Sequence, residues 1–70
     1  MTWIEAEYKG INISRDKCDA RVHIGIYLGE VDGVTRTERK YYPAVTNAKS
    51  AIRYYFKLGY TAHRGLLRQF

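Results

Sequence analysis

Ala20-Arg21-Val22-His23-Ile24-Gly25-Ile26-Tyr27-Leu28 alternates without a break. Ala20, Val22, Ile24, Ile26 and Leu28 point to one side; Arg21, His23, Gly25 and Tyr27 point to the other. This is the period of a strand with one buried face. Val31-Asp32-Gly33-Val34 follows, and Asp-Gly between apolar residues is the strongest short hairpin signal. A two-residue turn there pairs Val31 with Val34 and sets Leu28 opposite Thr37, Ile26 opposite Arg39 and Ile24 opposite Tyr41. On the other face Tyr27 meets Glu38, Gly25 meets Lys40 and His23 meets Tyr42. A bulge at Gly29 shifts the register by one residue and exchanges the faces of the following strand. That strand, about Thr35 to Tyr42, is too polar for burial on both sides and reads as an edge, ended by Pro43.

Upstream, residues 2–8 alternate, with Ile4, Ala6 and Tyr8 on one face and Trp3, Glu5 and Glu7 on the other. Lys9-Gly10 is a turn signal, and Ile11-Asn12-Ile13-Ser14 is either a short strand or a continuation past a bulge. Arg15 to Asp19 reads as a loop. Downstream, Thr46 is the expected helix N-cap with Asn47 as competitor. Ala48, Ala51, Ile52, Tyr55 and Leu58 recur at helical spacing, and Gly59 stops the helix. The helix spans about Asn47 to Leu58, with Lys49, Arg53 and Lys57 as one solvent-side row. The basic tail, residues 60–70, adds a helical turn over Arg64 to Gln69, with Leu66, Leu67 and Phe70 packing on the sheet.

The expected fold is α+β: a three-stranded, or four-stranded, antiparallel meander with one C-terminal helix on one face. Residues 1–70 form one domain, with sheet over about 2–42, helix over about 47–58 and tail over 60–70. Ile4, Ala6, Val22, Ile24, Ile26, Leu28, Ile52 and Tyr55 form the expected core. So short a chain has a thin core, which leaves room for a homodimer or a bound partner to complete it.

The chain has 70 residues, 46% hydrophobic and 27% charged, proportions that fit a folded globular domain rather than a disordered one. One cysteine, Cys18, excludes an intrachain disulfide and a multi-thiolate zinc site. Its polar loop suits an inert thiol, and a lone thiol suits a reducing cytoplasm, or a host cytoplasm if the chain is viral. His23 and His63 are forty residues apart with no ligand cluster beside them. No phosphate loop, carboxylate pair at helical spacing or Ser-His-Asp order appears. The expectation is therefore no enzyme, no metal and no cofactor. No apolar run reaches the roughly 18 residues of a membrane span. Met1-Thr2-Trp3-Ile4-Glu5 lacks the basic start of a signal peptide.

The net charge of +5 is unevenly divided, −2 over residues 1–35 and +7 over residues 36–70. Such asymmetry points to a polyanionic partner for the C-terminal half. Arg21, His23 and Tyr27 share a strand face, and in the simple register Arg36, Lys40 and Tyr42 join them. A two-stranded ribbon of that kind fits the DNA major groove. Lys49, Arg53, Lys57, Arg64 and Arg68 are the candidates for phosphate contacts.

Tyr8-Lys9-Gly10-Ile11, Ala20-Arg21-Val22-His23-Ile24 and a Thr46-capped helix with Ala48, Ala51 and Tyr54/Tyr55 carry a resemblance over roughly residues 8–56. The β-β-β-α order resembles the plant Apetala-type DNA-binding domain and its relatives in phage integrases and homing endonucleases. That resemblance implies DNA reading through the sheet, with Arg21, His23, Arg36 and Lys40 as the groove residues. The competing expectation is a small inhibitor or adaptor, of the kind phages direct at host defence or transcription complexes. It would bind a protein partner through Tyr27, Tyr42, Tyr54 and Tyr60, since tyrosine is enriched at interfaces.

Overall fold

The structure is a computed structural model that describes residues 1–69. Phe70, expected to pack on the sheet, lies outside the described residues. The order is β1 (Thr2–Tyr8), β2 (Ile11–Asp16), β3 (Val22–Val31), β4 (Val34–Tyr42), α1 (Val45–Lys57), β5 (Thr61–His63) and β6 (Leu66–Arg68). The fold is α+β with one helix, as the sequence implies. The sheet, however, has six strands and is mixed rather than a three- or four-stranded antiparallel meander.

β3 is the centre. β4 runs antiparallel along one edge of β3. The opposite edge is shared: β2 pairs antiparallel at Val22 and His23, whereas β6 pairs parallel at Ile26 and Tyr27. β6 enters where β2 leaves, and the two are joined where the Asn12 N–H donates to the Gly65 carbonyl at 2.9 Å. The sheet curls about this split.

The tail that sequence reading assigns to a helical turn is the β5–β6 hairpin. Arg64 and Gly65 have φ of 52° and 79°, so the turn is left-handed at both central positions. Lys9-Gly10 (54°, 83°) and Asp32-Gly33 (53°, 77°) repeat the arrangement. All three are turns whose twist matches that of the flanking strands. The tail folds as strands because Leu67 then drops onto the core as the fully buried partner of Ile26.

The helix begins at Val45, two residues before the expected Asn47, after the extended Ala44 and with no side-chain cap. Thr46 therefore lies inside the first turn and does not cap. Starting there places Val45, Ala48, Ile52 and Tyr55 in one stripe against the sheet. The C-terminus ends as the sequence indicates. Gly59 donates to the Phe56 carbonyl and Tyr60 to the Tyr55 carbonyl, each at 3.1 Å, the double closure of a Schellman motif.

The core is Ile11, Ile13, Val22, Ile24, Ile26, Ala48, Ile52 and Leu67. Ile4 and Leu28, expected inside, are 59% and 61% exposed. Both sit at irregularities, one between Ile4 and Ala6 and one between Tyr27 and Gly29. Each extra residue turns the alternation over, and each aliphatic side chain goes with it.

The molecule is a slab, 31 × 29 × 15 Å. A single helix covers only part of so broad a sheet, and the sheet face away from α1 is left open. No described helix is long and apolar enough to cross a membrane.

Candidate functional site

The irregularity between Tyr27 and Gly29 decides which side chains meet. The bulged alternative is the one adopted: His23 faces Tyr41, Gly25 faces Arg39 and Tyr27 faces Thr37. Lys40 pairs with Ile24 and Tyr42 with Val22, on the helix side. The groove set expected from the simple register is thereby divided. Arg21 and His23 stay with the open face, whereas Lys40 lies on the other side and pairs with Glu38 at 3.2 Å. Arg36, opposite Gly29, shares the strand face of Lys40 by alternation. Arg39 and Tyr41 occupy the places expected for Lys40 and Tyr42.

The charges of the open face are largely answered by carboxylates. Arg21 donates to both oxygens of Asp19, at 3.1 and 3.0 Å, and lies 4.4 Å from the Tyr41 ring centre. Arg39 Nη1 donates to Asp16 Oδ2 at 3.2 Å, while the Thr2 hydroxyl donates to Asp16 Oδ1 at 2.6 Å. Arg68 lies 5.5 Å from the Tyr27 ring, which also packs on His63. Arg64 is an exposed turn residue.

His23 is only 6% exposed, and its Nδ1 has no hydrogen-bond partner among the described residues. The ring packs on Tyr41 at 5.3 Å. Burial first, then the Arg39 guanidinium, hold the imidazole below its ordinary value of 6.5, against the opposing pull of Asp16 and Asp19. The unfolded chain therefore takes up this proton before the folded one does. The stability contributed by neutral His23 is complete above pH 6.5 and declines as pH falls through that value toward the folded pKa. Denaturant midpoints measured at about pH 7.5 and 5.5 should differ for the native chain and converge for His23→Gln. Equal slopes in the two proteins would remove His23 from the account. The carboxyls of Glu5, Asp16 and Asp19 are held below their ordinary values, so their protonation costs stability only at lower pH.

A second group assembles on the helix side, at the edge where β1 meets α1. Tyr8, on the inward face of β1, packs against the core. Arg53 Nη1 donates to its hydroxyl at 3.4 Å, and Lys9 and Lys49 each place Nζ 5.7 Å from its ring centre. Lys9 also lies 6.0 Å from Phe56. The Arg53 hydrogen bond, then the charges of Arg53, Lys9 and Lys49, lower the Tyr8 phenol below its ordinary value. The four ion pairs among the described residues involve Arg15, Arg21, Arg39 and Lys40, and none reaches this cluster. The helix itself, Val45–Lys57, contains no acidic residue and adds Lys57 to the same row.

Sequence reading found Lys49, Arg53 and Lys57 but missed Lys9 and Tyr8. The signal available was Lys9 inside a turn that returns β1 beside the helix, which only the packing of α1 on Tyr8 reveals. Of the tyrosines expected at an interface, only Tyr54 is exposed, at 60%. Tyr42 and Tyr60 pack against the core, and Tyr27 lies half-buried beneath Arg68 and His63.

No metal-holding cluster of histidine, cysteine or carboxylate side chains occurs among the described residues. No family model, curated protein or solved structure matches the chain.

Proposed function

We propose that this chain is a small nucleic-acid-binding module, DNA in the first instance, that grips the phosphate backbone through Lys9, Lys49, Arg53 and Lys57. One observation carries the reading. Three cations from two separate elements converge on one tyrosine ring with no carboxylate of the described residues in ion-pairing reach. Gathered like charges repel, and a polyanion relieves that repulsion while releasing its own counterions. The half-buried tyrosine gives the lysine and arginine stems a firm support, so less freedom is lost on binding. The open sheet face supports groove reading less well, because Arg21 and Arg39 are already engaged by Asp19 and Asp16.

The test is a salt titration of duplex and single-stranded oligonucleotide binding. Replacing Lys49 and Arg53 together by glutamine should reduce the log–log salt slope by about two, roughly one for each phosphate no longer neutralised. Arg21→Gln should leave it nearly unchanged. Weakening confined to Arg21→Gln and Arg39→Gln would transfer the role to the sheet face. No binding of either nucleic acid at low salt, where attraction is greatest, would end the proposal.

A second reading, docking on a protein, rests on the far end of the β3–β4 hairpin. Leu28, Val31 and Val34 are 61%, 50% and 65% exposed there. Beyond Tyr27, β3 pairs among the described residues only with β4. Binding to a protein partner that survives high salt and is abolished by Val31→Ser/Val34→Ser would favour it over the phosphate reading.

A further inference from the structure

The open face of the sheet holds a depression of about 240 Å³, separate from the Lys9–Lys49–Arg53 cluster on the other side. Gly25, which puts no side chain on the middle of β3, and Leu66, which lies over it, form part of its floor and wall. The rows on either side do project: Asn12 and Ser14 from β2, Thr37 and Arg39 from β4. His23 and Leu66 are also in its wall. A side chain at position 25 could not be accommodated without displacing Leu66, since a Cβ there would lie 2.5 Å from its Cδ2. Leu66, seated over Gly25, forms one wall of the hollow.

Its lining is rich in donors. Ser14 and Thr37 offer hydroxyls, Asn12 an amide and Arg39 a guanidinium with five N–H groups. Asp16, the carboxylate beside Arg39, has both oxygens occupied, one by the Thr2 hydroxyl and one by Arg39 Nη1. One partner cannot use all of the guanidinium's donors, and Arg39 retains others. His23 adds a ring that is more than nine-tenths buried and has an unpartnered nitrogen. That nitrogen is itself shut off from solvent, so His23 lines the hollow through other atoms of the residue.

We propose that this hollow over Gly25 is a binding site for a compact oxyanion of the sulfate or phosphate type, held by Arg39, Ser14, Thr37 and Asn12 beside His23. The site does not depend on the phosphate-backbone reading above, because it uses none of the same residues. An anion seated there faces a ring whose charged form is opposed first by burial and then by Arg39, and favoured by Asp16 and Asp19, with Tyr41 tilted against it at 5.3 Å and Arg21 bound to Asp19. Its negative charge favours the protonated ring and offsets the effect of Arg39. Binding is accordingly coupled to proton uptake by His23.

The experiment follows the His23 ring resonances by NMR between about pH 5 and 8. Sulfate is the probe, since it does not itself titrate in that range, and chloride at matched ionic strength is the control. Sulfate should move the His23 midpoint upward by about one pH unit or more, as expected for an opposite charge at close range. His63 should respond no differently to sulfate and chloride. Arg39→Gln should weaken sulfate binding about tenfold. If Arg39→Gln does not fold, Ser14→Ala/Thr37→Val serves instead, with the same direction of change. A short oligonucleotide in place of sulfate separates the sources of the anion. Movement of the midpoint that Arg39→Gln abolishes would identify a phosphodiester, and movement by sulfate alone a free anion. Equal effects of sulfate and chloride would overturn the proposal. So would a sulfate effect that survives both sets of hollow variants, or one that disappears in Lys49→Gln/Arg53→Gln.

Discussion

Truncating Leu67 to alanine lowers the unfolding free energy by about 2–5 kcal/mol, the cost of deleting a fully buried leucine and leaving a cavity. A chain of this length has only roughly 4–10 kcal/mol of stability to lose. A large share of Leu67→Ala protein should therefore be unfolded in moderate urea, where the native chain is intact. Leu67 is 0% exposed and packs with Ile11, Ile24, Ile26 and Ile52. Its neighbour Leu66 lies on the opposite face of β6 and is only half-buried. Leu66→Ala should cost nearer ~1 kcal/mol. Urea midpoints of the two variants give a direct comparison. Equal costs would mean that β6 is not inserted beside β3, and the six-stranded sheet would be wrong.

The second large effect is expected at Gly65. Its φ of 79° lies in the left-handed region, where a side chain costs about 1–2 kcal/mol. A Cβ there would also collide with the Asn12 side chain. Relief of that collision strains the bond from the Asn12 N–H to the Gly65 carbonyl, the link between β2 and the β5–β6 hairpin. Gly65→Ala should therefore lose about 2–4 kcal/mol in all, combining backbone strain with a damaged hydrogen bond. Gly33 provides the internal control. Its φ is 77°, almost the same, but nothing lies within 4 Å of the Cβ it would gain. Gly33→Ala should show the backbone cost alone. The difference between the two alanine variants measures what the Asn12 junction contributes. If the two cost the same, the Asn12 side chain moves aside without cost and the junction hydrogen bond is undisturbed.

The β5–β6 hairpin is the part of the molecule least legible in the sequence. Thr61–His63 and Leu66–Arg68 are three residues each, too short to show a period. Leu66-Leu67 reads equally well as a helical turn or a strand. What makes it a strand is a partner distant in the chain, Ile26, whose open edge β2 has vacated. Nothing local encodes that vacancy. The charges show the same division. Their uneven distribution along the chain was legible, and so was the helix row Lys49, Arg53 and Lys57. The neutralisation of Arg39 by Asp16, across 23 positions, was not.

Local sequence is enough to specify the central strand, the Asp32-Gly33 turn, the single helix and its stop at Gly59. Each depends on a few neighbouring residues, through strand alternation, positive φ in a two-residue turn, helical spacing and a left-handed C-terminal cap. The tertiary structure alone decided which side chains of β4 share a face with His23. One bulged residue, the unpaired Leu28, exchanged Lys40 and Tyr42 for Arg39 and Tyr41. Alternation has a period of two and carries no memory across an inserted residue, so both registers satisfy the same sequence. The choice falls to packing: this register sets Tyr42 beside Val22 against the core and leaves Arg39 within reach of Asp16.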